Sequence, residues 1–218
     1  MKFAVVTGAS RGIGHAISSR LLTEGYQVIG TSTTGKINLD HPNLEAIRVD
    51  MAEPATIREA LDRLDGRSFH VLVNNAGVVL DDRSDPRMSV SVLRKTFEIN
   101  VFGLIEFCEG NLPRLVRGGH VINISSNWGT FSDRAFDELC PHYKMSKAAL
   151  NMYTKLLAKR IEPAGISASA VDVGWVRTDL GGPDAPVPPE AAADAVYQLI
   201  AGDTPTGHLW HDGKRRAW

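Results

Sequence analysis

A chain of 218 residues is long enough for one domain with a full core, and nothing in it marks a second domain or a repeat. Hydrophobic residues at 43% and charged residues at 22% suit a water-soluble globule, and no run of about 18 apolar residues exists to span a membrane. The net charge of -1 removes any electrostatic argument for nucleic acid or an anionic membrane surface as partner.

Strand and helix patterns alternate along the chain. Phe3 to Thr7 is a continuous apolar run of the buried parallel-strand type, followed by a glycine-rich turn. A helix runs from Ile13 to Thr23, with Gly25 placed to close it. Gln27–Thr31 and Leu44–Val49 read as the second and third strands. The loop-forming residues between them, Asn38, Asp40, His41, Pro42 and Asn43, leave little room for a helix. Pro54–Leu64 is a helix with proline near its start. Val71–Val73 is the fourth strand, Ser89–Val116 a long helical pattern, and Val121–Ile124 the fifth strand. A helix over His142–Ile161, a strand over Ile166–Val173, a helix over Pro189–Ile200 and a short strand over His208–Trp210 complete the series. Lys214, Arg215 and Arg216 read as a solvated basic end. The alternation predicts an α/β fold: a single-domain, doubly wound parallel sheet of about seven strands.

Cys108 and Cys140 have neither the CxxC spacing of a zinc site nor the number for a disulfide framework, which fits a reducing compartment. No charged segment with an apolar run behind it precedes the first strand, so a cytoplasmic protein is expected. The seven histidines lack the spacing of metal ligands.

Thr7-Gly8-Ala9-Ser10-Arg11-Gly12-Ile13-Gly14 joins the first strand to the first helix. Its GxxxGxG spacing meets the demands of dinucleotide binding: a tight turn, close backbone approach, and a helix N-terminus aimed at a pyrophosphate. Gly8, Ser10, Arg11, Gly12, Ile13 and Gly14 are therefore candidate cofactor contacts. After the second strand, where an acid usually receives a ribose 2′-hydroxyl, stand Thr31-Ser32-Thr33-Thr34-Gly35-Lys36. Hydroxyls there, Thr33 among them, with Arg11 and Lys36, suit a 2′-phosphate and favour NADPH (NADP) over NADH (NAD). Asp50, with Met51 after the third strand, either caps a helix or meets the adenine amine.

Tyr143 and Lys147 are four residues apart on one predicted helix, so they share a face. A cation beside a phenol favours its ionised form, and the pair is expected to make Tyr143 a proton donor and acceptor near neutral pH.

Together with Asn74-Asn75-Ala76-Gly77 after the fourth strand and Ser126 after the fifth, these motifs resemble the classical short-chain dehydrogenase/reductase family. The match runs from about Lys2 to Ile200. Tyr143-Lys144-Met145-Ser146-Lys147 and Trp175-Val176-Arg177-Thr178-Asp179-Leu180 are similar to its carbonyl-reductase-like members. The resemblance implies a Rossmann-type fold and an NAD(P)-dependent short-chain oxidoreductase. Tyr143 would protonate the substrate oxygen, Ser126 would polarise it, and Lys147 would hold the ribose. Asn100 would kink the long helix and hold a water in a proton relay. Asn74, Ala76 and Gly77 would line the adenine-ribose side, with Asn75 structural. Gly174, Val176 and Thr178 would line the nicotinamide side.

Two departures from the family pattern stand out. Val173-Gly174 replaces Pro-Gly, which frees the backbone there. Gly181 to Pro186 replaces a longer flap, which predicts an open pocket and a broad or bulky substrate range. Trp128, Phe131, Phe136, His142 and Trp175 are candidate pocket walls and suit an apolar carbonyl compound. Asp133, Arg134, Asp137 and Glu138 suggest a polar surface excursion before Tyr143. The expected activity is NADPH-dependent reduction of an aldehyde or ketone. An NAD-dependent alcohol dehydrogenase and a non-catalytic dinucleotide sensor are the alternatives. Family members pair through their two long helices, so a homodimer or homotetramer is expected, with Leu150, Tyr153, Leu156 and Leu157 as candidate apolar positions.

Overall fold

The computed structural model describes residues 2–132 and 136–218. Asp133 and Arg134, read above as part of a polar excursion, lie outside the described residues.

Strand β1 (Phe3–Val6) feeds helix α1 (Gly12–Thr23), and β2 (Gln27–Ser32) passes to β3 (Leu44–Arg48) without a helix between them. Helix α2 (Pro54–Arg63), β4 (Phe69–Asn74), α3 (Val90–Phe97) and α4 (Leu104–Asn111) follow. Then come β5 (Leu115–Ile124), α5 (Pro141–Ile161), β6 (Ser167–Val171), α6 (Pro189–Ala201) and a hairpin of β7 (Leu209–His211) and β8 (Lys214–Arg216). The sheet order is β3-β2-β1-β4-β5-β6-β7-β8, and only β8 is antiparallel.

Both faces of the sheet are covered, which explains why the strands are apolar without alternation. Val5, Leu72 and Val121 point to one core with Ile57, Phe107 and Leu157 of α2, α4 and α5. Ala4, Val6, Val71, Val73 and Ile122 point to the other with Ile17, Leu21, Val196 and Leu199 of α1 and α6. Neighbouring residues thus serve opposite cores. Among the described residues, no helix is long and apolar enough to cross a membrane.

Two expectations need correction. The sheet has eight strands, because Lys214–Arg216 turns back at Asp212 and Gly213, both at positive φ, and pairs with β7. The long helix ends at Asn111. Pro113 sits in a 3-10 turn after it, and Val116 already belongs to β5. That helix is also broken internally, where Glu98–Gly103 forms a π-helical segment containing Asn100. A Cβ added at Gly103 would run into the Met51 carbonyl, so the chain crosses there with nothing between the two backbones.

A buried polar chain fastens α5 to the sheet. Asn74 Nδ2 donates to Asn123 Oδ1 at 2.8 Å, and Asn123 Nδ2 donates to Thr154 Oγ1 at 2.8 Å. Removing the middle member takes a buried partner from the Asn74 amide and from the Thr154 hydroxyl, which keeps its bond to the Leu150 carbonyl. Asn123→Ala should therefore lower unfolding stability by about 1–3 kcal/mol in urea denaturation. A loss below about 0.5 kcal/mol would show that the chain does not secure the helix.

Candidate active site

The site is built at the C-terminal edge of the parallel strands, where a doubly wound sheet leaves a crevice. Gly8 and Gly12 hold φ of +67° and +55°, a region that strains other residues. A Cβ at Gly14 would meet the Gly8 carbonyl and the Asn75 amide. Helix α1 starts with no side-chain cap bond and no acid in its first turn. Its leading N–H groups thus suit an anion, and the loop fits a pyrophosphate. Thr7 is the hub: its hydroxyl accepts from the Asn75 and Ala76 amides at 2.9 and 3.0 Å, while Asn75 Nδ2 donates to the Thr7 carbonyl at 2.9 Å. Ser10 and Arg11 are exposed, and Ile13 half-buried.

Around the expected ribose position, Thr33 is exposed, and its carbonyl accepts from Arg48 Nε at 3.2 Å. Arg48 also pairs with Glu53 at 2.8 Å. This second cation was missed in the sequence, because an arginine closing a strand looks like ordinary surface charge. Arg11 pairs with Asp179 at 3.0 Å, with both side chains more than three-quarters exposed. Such a pair is worth at most about 1 kcal/mol and leaves the guanidinium available to a ligand. Asp50 Oδ1 accepts from the Ala52 amide at 2.9 Å, a turn-capping contact, and Met51 is buried. The Asn74 side chain is buried and bound to Asn123.

On the far side of the crevice, Gly174 has φ +75° and Val176 is buried. A Cβ on Gly12 would lie 3.1 Å from Thr178 Cγ2, so Thr178 packs directly on the phosphate loop. The short loop after Thr178 closes on itself: Arg177 N donates to the Val187 carbonyl at 2.8 Å and Trp175 Nε1 to the Gly181 carbonyl at 2.7 Å.

Asn100 is fully buried and ties three segments together. Its Oδ1 accepts from Val78 N at 2.8 Å, and its Nδ2 donates to the Val78 carbonyl at 2.9 Å and to Ser146 Oγ at 3.1 Å. The π segment carries this side chain across to α5, and its amide is spent on protein partners. Gly77 lies just above it, where an added Cβ would be 3.3 Å from Asn100 Oδ1 and 3.8 Å from Lys147 Nζ.

Tyr143 and Lys147 share one face of α5 as their spacing predicts, and Ser126, which the family resemblance named, stands beside them. Ser126 Oγ accepts from Trp128 N at 3.1 Å, and its hydroxyl favours the ionised form of the Tyr143 phenol. Lys147 Nζ donates to the Ile124 carbonyl at 2.8 Å and lies 5.5 Å from the Tyr143 ring centre. The expected lowering of the Tyr143 pKa by Lys147 is not what the structure yields. Burial pushes the phenol well up, the Asp172 carboxylate adds to the rise, and Ser126 and Arg83 oppose it. The same burial lowers Lys147 to about 8.

Helix α5 starts with Pro141 after Cys140, whose φ is +52° and whose side chain makes no cap bond. The cap comes from elsewhere. Asp81, on the loop after β4, accepts from the His142 amide at 2.9 Å and the Tyr143 amide at 3.2 Å. His142 Nδ1 lies 2.6 Å from the same carboxylate, and its Nε2 accepts from Ser89 N at 2.8 Å. The expected pocket wall His142 is therefore a buried strut, and Asp81 is a site residue that sequence reasoning overlooked. Trp128 does face the phenol, edge to face with centroids 6.1 Å apart. Trp175 is 56% exposed beside the crevice, and Phe131 is 96% exposed. Phe136 is 66% exposed and lies 5.0 Å from Lys144 Nζ, which also bonds Asp137 at 2.6 Å.

Residues 2–186 match the short chain dehydrogenase family. The chain belongs to that family. It is thus an NAD(P)-dependent short-chain oxidoreductase, as its site motifs imply. A curated relative, the 3-oxoacyl-[acyl-carrier-protein] reductase FabG of Salmonella typhimurium, is 31% identical over 217 residues, covering 95% of this chain and 84% of the relative. A short-chain dehydrogenase/reductase from Burkholderia multivorans with bound NADP superposes with a TM-score of 0.91 at 27% identity, covering 100% of this chain and 99% of the other. The NADPH-bound carbonyl reductase from chicken fatty liver gives 0.89 at 26% identity, covering 100% and 99%.

The lowered Lys147 pKa has a consequence for stability that can be measured. Between about pH 8 and 10 the unfolded lysine keeps a proton that the folded one has lost, so stability rises with pH there. Tyr143 acts in the opposite sense above about 10, which closes the window. The fall to about 8 corresponds to about 3 kcal/mol. Lys147→Met should therefore lose up to that much of its stability relative to the wild type as pH rises from 8 to 10. A difference independent of pH in urea titrations would refute the buried-ammonium account.

Proposed function

We propose that the protein reduces an aldehyde or ketone to the alcohol with NADPH, with Tyr143 as proton donor. The observation that carries this reading is the convergence of half-buried Ser126 and Tyr143 on the buried Lys147. A bound nicotinamide supplies a hydride. The Ser126 hydroxyl hydrogen-bonds the carbonyl oxygen and draws charge onto it, and Tyr143 delivers its proton to that oxygen as the charge develops. Lys147 holds the ribose hydroxyls and stabilises the phenolate left behind. Gly8, Ser10, Gly12, Ile13 and Gly14 hold the pyrophosphate, while Ala76, Gly77, the Asn74 backbone, Asp50 and Met51 line the adenosine half. Gly174, Val176 and Thr178 hold the carboxamide end.

Arg11, Arg48 and Thr33 beside an acid-free strand end support a 2′-phosphate. The NADP and NADPH in the two similar structures agree with it. Trp128 and Trp175 favour an apolar carbonyl compound, and the short loop after Thr178 leaves room for a bulky one. Two copies pairing through α4 and α5 would cover Phe102, Met145, Met152 and Leu156, all exposed. Leu150 and Leu157 belong to the core instead.

Titration of the purified protein should show tighter NADPH than NADH binding, and Arg11→Ala should weaken NADPH alone by about tenfold or more. Equal or tighter NADH binding would replace this reading with an NAD-linked alcohol dehydrogenase, and binding of neither would reopen the question of enzyme activity itself. Tyr143→Phe should cut turnover by about 100-fold or more with cofactor affinity intact. Near-normal rates in that variant would remove Tyr143 from the chemistry.

A further inference from the structure

Lys144 follows Tyr143 directly in the chain, and hydride and proton transfer make no use of it. A lysine on a helix usually turns its ammonium to water. Here the residue is 7% exposed, so the ammonium has left water and needs partners inside the fold.

Asp137, Trp128 and Phe136 supply them. Lys144 Nζ donates to Asp137 Oδ1 at 2.6 Å and to the Asp137 carbonyl at 2.7 Å. It also stands over two rings, 5.1 Å from the Trp128 centre and 5.0 Å from that of Phe136. Asp137 is set by its own turn, since its Oδ1 accepts from Leu139 N at 2.8 Å. One side chain thus joins Trp128, just after Ser126, to the residues that lead into α5.

The backbone around Trp128 is fixed without help from its ring. Trp128 N donates to Ser126 Oγ at 3.1 Å, Asn151 Nδ2 donates to the Gly129 carbonyl at 3.0 Å, and Gly129 lies against the Lys147 and Ala148 backbone. The indole itself is 38% exposed and meets the Tyr143 ring edge to face, 6.1 Å between centroids. A partly exposed ring on a fixed backbone keeps several rotamers open unless a contact selects one. The Lys144 ammonium selects the rotamer that sets the indole beside Tyr143. A carbonyl compound approaching the Tyr143 proton meets that indole. An aromatic ring on the carbonyl carbon would pack on it, whereas a short alkyl chain gains little.

We propose that Lys144 is a positioning residue that sets substrate preference: it holds the Trp128 indole beside Tyr143 and so favours carbonyl compounds bearing an aromatic ring. The proposal rests on the carbonyl reduction proposed above, and it deepens that reading by naming a substrate class.

The test pairs fluorine NMR of protein labelled with 5-fluorotryptophan with the NADPH-driven reduction of acetophenone and of butanone. The chain has four tryptophans, and Trp128→Phe assigns the signal of interest. Lys144→Met should move or broaden the Trp128 signal more than those of Trp175, Trp210 and Trp218. The same variant should raise the KM for acetophenone about fivefold, with kcat within about twofold and the butanone constants little changed. Lys144→Arg keeps a cation over the rings and should restore most of the preference. In a Trp128→Ala background, Lys144→Met should change neither constant further. Circular dichroism checks that each variant is folded. The proposal is overturned if the Trp128 signal ignores Lys144→Met, if both ketones suffer alike, or if the loss persists without Trp128. Reduction of butanone but not acetophenone by the wild type would also overturn it, and would leave the carbonyl reaction standing. If NADPH reduces neither ketone, the proposed reaction fails, while the Trp128 signal still decides whether Lys144 positions the ring.

Discussion

A buried ammonium governs the geometry of this site. Lys147 is 4% exposed and donates to the Ile124 carbonyl at the end of β5. A charge taken out of water needs such a partner, so α5 must lie flat against the strand end. The loop after Ser126 must then hug the helix. A Cβ on Gly129 would press into the Lys147 and Ala148 backbone, and only glycine lets that loop pass. With helix, strand and loop so constrained, Ser126 and Tyr143 face each other with little freedom left.

Other elements complete the constraint from a distance. The π segment brings Asn100 to both Val78 and Ser146, joining the loop after β4 to α5. Asp81 on the same loop accepts the first amides of α5, including that of Tyr143 itself. Tyr143 is therefore held at its backbone by a residue 62 positions earlier. Preorganisation of this kind spares the reaction the reordering of its own catalytic groups.

The electrostatics oppose the simple picture of a lysine lowering a tyrosine. Burial moves the two groups toward one another, the phenol up and the ammonium down to about 8, so both drift toward neutral forms.

The sequence by itself determined the α/β class, the parallel order of elements, the phosphate loop and the shared helix face of Tyr143 and Lys147. These rest on local information: periodicity, glycine at turns and the i, i+4 spacing of one helix face. The missing helix between β2 and β3 was legible for the same reason, in its run of loop-forming residues. Only the tertiary structure decided the rest. Strand β8, the buried strut of Asp81 and His142, Arg48 beside Thr33, and Asp172 against Arg216 all join residues far apart in the chain or hidden in ordinary-looking segments. An acid and a base dozens of residues apart leave no periodic trace, and whether a charge is solvated or buried depends on which elements happen to cover it.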